Sequence, residues 1–157
     1  MKELTNIRKG NLIECWGPYG LIFAYIHSID DLDNGRKKFH VLPHDKQYNV
    51  FDCYSEQSTP ISLTHDRLLQ LGSSFNAEQR IHSIGTVVLA AFGYTEGNNP
   101  FSMTGGYTNY YVLPVGFSLP TTREKLKQDA IEVPHIHTLQ NYYSETGREL
   151  DVSAIRW

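Results

Sequence analysis

Cysteine is nearly missing from this chain. Cys15 and Cys53 are the only two in 157 residues. Two isolated thiols make neither a disulfide framework nor a zinc site, so both are expected to be unlinked, buried thiols in a reducing compartment. Long apolar runs are missing too: none approaches the ~20 residues a membrane helix needs, so no membrane segment is expected. The opening Met-Lys-Glu-Leu-Thr-Asn has no apolar stretch of the kind a signal peptide carries. A soluble, cytoplasmic protein is the expectation. There is no surplus of positive charge. The net charge of −3 argues against tight, nonspecific nucleic-acid binding, which runs on Lys and Arg. No nucleophile elbow, phosphate loop or dinucleotide fingerprint occurs; Gly17-Pro18-Tyr19-Gly20 and Gly105-Gly106 read as turns. No cofactor is implied, and no catalytic residue is identified.

What the chain does have is enough apolar material for a core. Hydrophobic residues make up 40% and charged ones 20%, which argues against disorder. The length suits a single compact domain over residues 1–157, with sub-lobes 1–72 and 73–157 divided softly near Gly72 to Asn76. Ten tyrosines, seven phenylalanines and two tryptophans favour strands and, where exposed, interfaces.

Turn signals cut the first half into short strands. Leu12 to Trp16 reads as a strand, followed by the turn Gly17 to Gly20. Leu21 to Ile29 is a second strand, with Leu21, Phe23, Tyr25, His27 and Ile29 alternating against Ile22, Ala24 and Ile26. Both faces are largely apolar, which predicts a central strand covered on both sides. Asp30 to Lys38 is a polar hairpin loop whose Asn34-Gly35 suits positive φ. Phe39 to Leu42 and Tyr48 to Tyr54 are further strands. Strands in this order, over about residues 8–63, resemble an SH3-like small barrel or a meander.

A short helix follows, with Thr64 as N-cap and Gly72 as terminator. Ser73 to Ala77 reads as a connector. The run Thr86 to Phe92 predicts a buried strand, with a helix as its competitor. Tyr110 to Phe117 predicts another strand, with Pro114 implying an edge or a bulge. Thr121 to Ala130 predicts a short exposed helix. The fold class is therefore α+β and mostly antiparallel, with a short middle helix and a C-terminal helix packed on a second sheet.

That last helix is the clearest element. Pro134 suits a first turn, Ile136, Leu139 and Tyr143 make one apolar stripe, and Gly147 supplies the left-handed stop. The string His137-Thr-Leu139-Gln140-Asn141-Tyr142-Tyr143-Ser-Glu-Thr146-Gly147-Arg-Glu149-Leu150 resembles the C-terminal signature H-x-L-Q-N-x-Y/F-x-x-x-T-G-x-E-L of uncharacterised small proteins from Bacteroidetes genomes, prophages and mobile elements. The match covers about a tenth of the chain and carries no assigned chemistry. Ser144 and Glu145 dilute the apolar middle of that pattern. The resemblance implies a family and a phage-like origin, and no reaction.

Seven histidines invite a metal, yet no carboxylate or cysteine stands at ligand spacing from His135-Ile-His137 or from His40 and His44. On a helix His135 and His137 lie about 200° apart. They read as surface or core histidines, and no metal site is expected. The candidate binding residues are His137, Gln140 and Asn141, amides and an imidazole beside an apolar stripe, together with Trp16 at the end of the first strand and Tyr19 in the turn after it. For the amides the competing expectation is hydrogen bonding to loop backbone. The function expected is non-catalytic binding or an accessory role through contacts with a protein partner. The alternatives are a nucleic-acid-associated small barrel and an enzyme with dispersed catalytic residues.

Overall fold

The structure is a computed structural model that describes Leu4 and residues 6–95, 106–119 and 121–155. It is α+β and mostly antiparallel, with two five-stranded sheets and few helices. The chain divides into two units: Met1–Ser62 with His135–Ser153, and Leu63–Pro134 with Ala154–Trp157. The soft boundary expected at Gly72 to Asn76 falls inside the second unit. Among the described residues no helix is long and apolar enough to cross a membrane.

The first unit holds β1 (Leu12–Gly17), β2 (Gly20–Asp31), β3 (Lys37–Pro43), β4 (Phe51–Tyr54) and β5 (Ser58–Thr59). Their order is β4-β3-β2-β1-β5, so β2 is central as its two apolar faces predicted. A 3-10 turn at Ser55–Gln57 redirects the chain, and β5 then pairs with β1 through Glu14↔Thr59 and Cys15↔Ser58. The sheet therefore curls back on itself. Its interior holds Ile13, Cys15, Ala24, Ile26, Phe39, Val41 and Cys53.

Strict alternation along β2 fails at one place. The register against β3 shifts between Ile26 and Ser28, leaving His27 as the extra residue of a bulge. Ile29, expected opposite Ile26, instead packs into the same cluster as Ile26. At the end of the hairpin Asn34 and Gly35 take φ of 62° and 73°, as that dipeptide predicts. β4 begins only at Phe51, because Tyr48 to Val50 belong to the preceding loop.

The helix α3 (Ile136–Glu145) completes this unit. The sequence placed it on a second sheet; it docks instead on β1 of the first. The reason is polar pairing across some 130 positions, which no local pattern announces. Ile136, Leu139 and Tyr143 are buried as expected. Pro134 lies just outside the helix, and His135 is the N-cap; the His135 N–H donates to Thr138 Oγ1 at 3.1 Å. At the other end Gly147 has φ 76°. Its N–H reaches Ser144 O at 3.1 Å and that of Arg148 reaches Tyr143 O at 2.9 Å, the paired bonds of a Schellman stop. Leu150 follows, buried.

The second unit holds α1 (His65–Gln70), β6 (Ser74–Asn76), β7 (Ile81–Ile84), β8 (Val87–Thr95), β9 (Gly106–Val112), α2 (Arg123–Asp129) and β10 (Ile131–Glu132). The sheet order β10-β9-β8-β7-β6 is a plain meander. Thr64 caps α1 by accepting from the Arg67 N–H at 3.2 Å. Within the run Thr86 to Phe92 the strand starts at Val87, as the β-branched start suggested, and Thr86 belongs to the turn before it. Ser73 to Ala77 is not a bare connector: β6 pairs there with β7, a polar edge strand with no apolar period to reveal it. β9 stops at Val112, before Pro114, since proline cannot continue the ladder. The turn expected at Met103 to Tyr107 lies largely outside the described residues. α2 is less exposed than expected, since Leu126 is buried with Ala90 and Tyr111.

Candidate functional site

The aromatic residues at the β1–β2 turn and the β3–β4 loop form the clearest candidate. β1 delivers Cys15 to the core and so turns its neighbour Trp16 outward; Trp16 is 58% exposed. Gly17 then comes against the Phe51 ring so closely that a Cβ would sit 2.2 Å from it. This lets the hairpin turn lie over Phe51. Tyr19, in that turn, stacks on Tyr48 with ring centroids 4.3 Å apart and meets Phe51 edge-on at 6.0 Å. Its hydroxyl accepts from the Asn49 N–H at 3.0 Å. Tyr19 and Tyr48 are each 38% exposed and Val50, at the loop's end, is 67% exposed. Lone exposed apolar side chains need no explanation. Here two rings are locked together by stacking and a hydrogen bond, with their outer surfaces left open.

The amides of α3 are placed differently. Gln140 Oε1 accepts from the Leu12 N–H at 2.8 Å, and its Nε2 donates to Gly10 O at 3.1 Å. Asn141 Oδ1 accepts from Asn11 Nδ2 at 2.9 Å, and its own Nδ2 donates to Asn6 O at 2.7 Å. Asn11 Oδ1 in turn accepts from the Arg8 N–H at 2.7 Å. Each amide thus uses both its donor and its acceptor on the segment leading into β1, which is the backbone-satisfying arrangement weighed from sequence. Both also line a cleft of about 820 Å³, together with Gly10, Tyr25, His27 and Arg148. His137 is fully buried, and its ring stacks on that of His135 at 5.5 Å with a 7° interplanar angle. The expected 200° separation fails because His135, as N-cap, is extended rather than helical.

So the five residues named from sequence fall into two groups. Trp16 is exposed on the outer side of β1, and Tyr19 stacks in the following turn on Tyr48, with Val50 exposed further along that loop; sequence reading passed over Tyr48 and Val50. Both lie beside Asn49 and Phe51, a loop whose aromatic and apolar content was the available signal. His137, Gln140 and Asn141 are built into the helix–strand junction.

Two polar clusters were also passed over. On the first unit His40 bridges Asp52 and Asp30, with Nε2 2.8 Å from Asp30. The two carboxylates, Asp30 first, hold its pKa above the ordinary value, and His40 holds that of Asp52 down. On the second unit the buried His82 links Ser73 Oγ at 2.9 Å, through Nδ1, to His65 Nδ1 at 3.2 Å, through Nε2. Burial, then the neighbouring His65, lowers His82 to about 4, so it is neutral near pH 7. A neutral His82 that accepts from Ser73 through Nδ1 donates to His65 through Nε2. Neither the first unit's cleft nor the second unit's cavity of about 440 Å³ beside Arg80, Ala91 and Phe92 is lined by these three residues. Among the described residues no cluster of three or more His, Cys, Asp or Glu is arranged to hold a metal ion.

Comparison of the chain with protein-family models, with curated proteins and with solved structures finds no match.

Proposed function

We propose that this is a non-catalytic binding or accessory protein that engages a protein partner through the stacked Tyr19 and Tyr48 and the exposed Trp16 and Val50 that flank them in sequence. The observation that supports it is the pair of partly exposed rings, Tyr19 and Tyr48, held in place before any partner arrives. Aromatic anchors that need no reordering on binding are the usual energetic centres of protein interfaces. In this reading the first unit is an SH3-like small barrel in a cytoplasmic protein. Its C-terminal signature ties it to prophages and mobile elements. The amides of α3 serve the barrel rather than the partner. The test is a photoreactive amino acid placed at position 16 in cells of the source organism. A discrete cross-linked protein is expected from position 16 and none from the exposed Lys127 of α2. Equal yields from both positions would overturn the reading.

The second reading is nucleic-acid association, favoured by the same stacked rings, since bases stack on exposed aromatics. The net charge of −3 weighs against it. Fluorescence anisotropy with single-stranded and duplex oligonucleotides separates the two: salt-dependent binding favours nucleic acid, and its absence favours the protein partner.

A further inference from the structure

Cys15 and Cys53 are 38 positions apart in sequence and sit on strands that are not ladder neighbours, yet the curl of the first sheet brings them together. β1 and β4 meet where the sheet closes. Cys15 stands opposite Ser58 in the β1–β5 register, and the Ser58 hydroxyl lies 3.4 Å from Cys53 Sγ. All three residues belong to the interior, with both cysteines fully buried, and both thiols are unlinked. Ser58 Oγ also donates to Tyr54 O at 3.0 Å, which pins the serine between the strand ends.

We propose that Cys15 and Cys53 are a peroxide-oxidisable pair whose disulfide ties β1 to β4 and locks the curled sheet shut. The two thiols are not equivalent. The contact with the Cys15 thiol favours the thiolate on Cys53 and lowers its pKa, while the contact with Cys53 and burial raise that of Cys15. Cys53, whose sulfur also borders the Ser58 hydroxyl at 3.4 Å, is the attacking sulfur of this proposal and Cys15 the resolving one. The Cys53 thiolate attacks one oxygen of hydrogen peroxide. An S–O bond forms, the O–O bond breaks, and the departing hydroxide takes up a proton to become water. Cys15 sulfur then attacks the sulfur of the Cys53 sulfenic acid. The S–S bond forms, the S–O bond breaks, and the Cys15 proton leaves with that oxygen as a second water. In total two thiols and one peroxide give one disulfide and two waters. A small peroxide is the matching oxidant because a bulky disulfide has no access to fully buried thiols, whereas a molecule near the size of water enters as the sheet breathes.

The closed loop restricts the unfolded chain, so the oxidised protein is the more stable form. The experiment is titration of the reduced, folded, full-length protein with hydrogen peroxide, followed by thiol counting in denaturant and peptide mapping without reductant. Two thiols disappearing together, a linked Cys15–Cys53 peptide, and a higher urea midpoint that dithiothreitol reverses are expected. In Cys15→Ser the resolving step is lost, and a sulfenic acid on Cys53 is trapped when the oxidised protein is unfolded in urea containing dimedone. Loss of the thiols one at a time to sulfinic or sulfonic acid in the wild type would overturn the proposal. So would retention of both thiols at a peroxide concentration that oxidises the urea-unfolded chain.

Discussion

The two sheets have the same number of strands and the same antiparallel pairing, and they resolve their edges and their polar groups in opposite ways. In the first unit β5 returns to β1, so the sheet curls shut. Its ionic groups sit outside: the Asp30–His40–Asp52 bridge, the Lys37–Asp31 pair and the Lys38–Asp52 pair all lie on the outer, solvated side. In the second unit the strands follow in sequence order, and the titratable cluster lies inside, with His82 at 0% exposure between Ser73 and His65. In the first unit His40 is solvated between two carboxylates on the sheet's outer side, while His137 of α3 is buried. In the second unit His82 is buried, and burial keeps it neutral near pH 7. His40 and His82 therefore respond to acid with opposite sign.

Four measurements break or sharpen this contrast. The largest effect is expected from truncating the buried helix anchors, Leu139→Ala in the first unit and Leu126→Ala in the second. Each removes a fully buried side chain and is expected to cost about 2–5 kcal/mol in urea unfolding. A Leu139→Ala protein that unfolds like the wild type would mean that α3 is no part of the first core.

His82 comes next. Its folded pKa, about 4, is below its unfolded value of about 6.5, so the unfolded chain binds the extra proton first. Stability from this residue is intact above the unfolded pKa, falls as the pH drops through the window from about 6.5 to 4, and levels off below it. The total loss is about 3 kcal/mol. Urea unfolding of wild type and His82→Phe across that window checks it, the variant being expected to lack this part of the slope.

Asn141→Ala is third. It leaves the buried Asn11 amide and Asn6 O without their partner, an expected cost of about 1–3 kcal/mol. A neutral result would mean that Asn141 serves a partner rather than the strand entry.

The smallest effect is at His40. Here the folded pKa is raised, so its stabilising contribution is present below the ordinary histidine pKa and is lost as the pH rises through the folded value. The pair is solvated and the effect on unfolding is small. Imidazole NMR should show His40 titrating above the ordinary value and His82 near 4. A shared, ordinary midpoint for both would erase the contrast.

Much of the fold was legible from residue pattern. Leu21 to Ile29 is apolar on both faces and became the central strand. Asn34-Gly35, Thr64, Gly72 and Gly147 each require a particular backbone state, and each took it. What escaped was the non-local part. β6 and β10 are short, polar strands defined by their partners. The bulge at His27 is set by the β3 register and not by β2's own sequence. The docking of α3 rests on Gln140 and Asn141 meeting Gly10, Asn11 and Leu12, and the meeting of Cys15 with Cys53 depends on the curl. For the site, Trp16 and Tyr19 were named from sequence, one ending the first strand and the other in the turn after it. Tyr48 was not, because only the folded loop stacks it on Tyr19.

The most direct test of the proposed binding surface separates stability from association in one variant, Trp16→Ser with Val50→Ser. These are the most exposed members of the surface, at 58% and 67%. Their removal is expected to shift the unfolding free energy by no more than about 0.5 kcal/mol each. A photoreactive residue at position 48 should then lose its cross-linked protein in the variant while keeping it in the wild type. A folded variant that still yields the same cross-link would contradict the account.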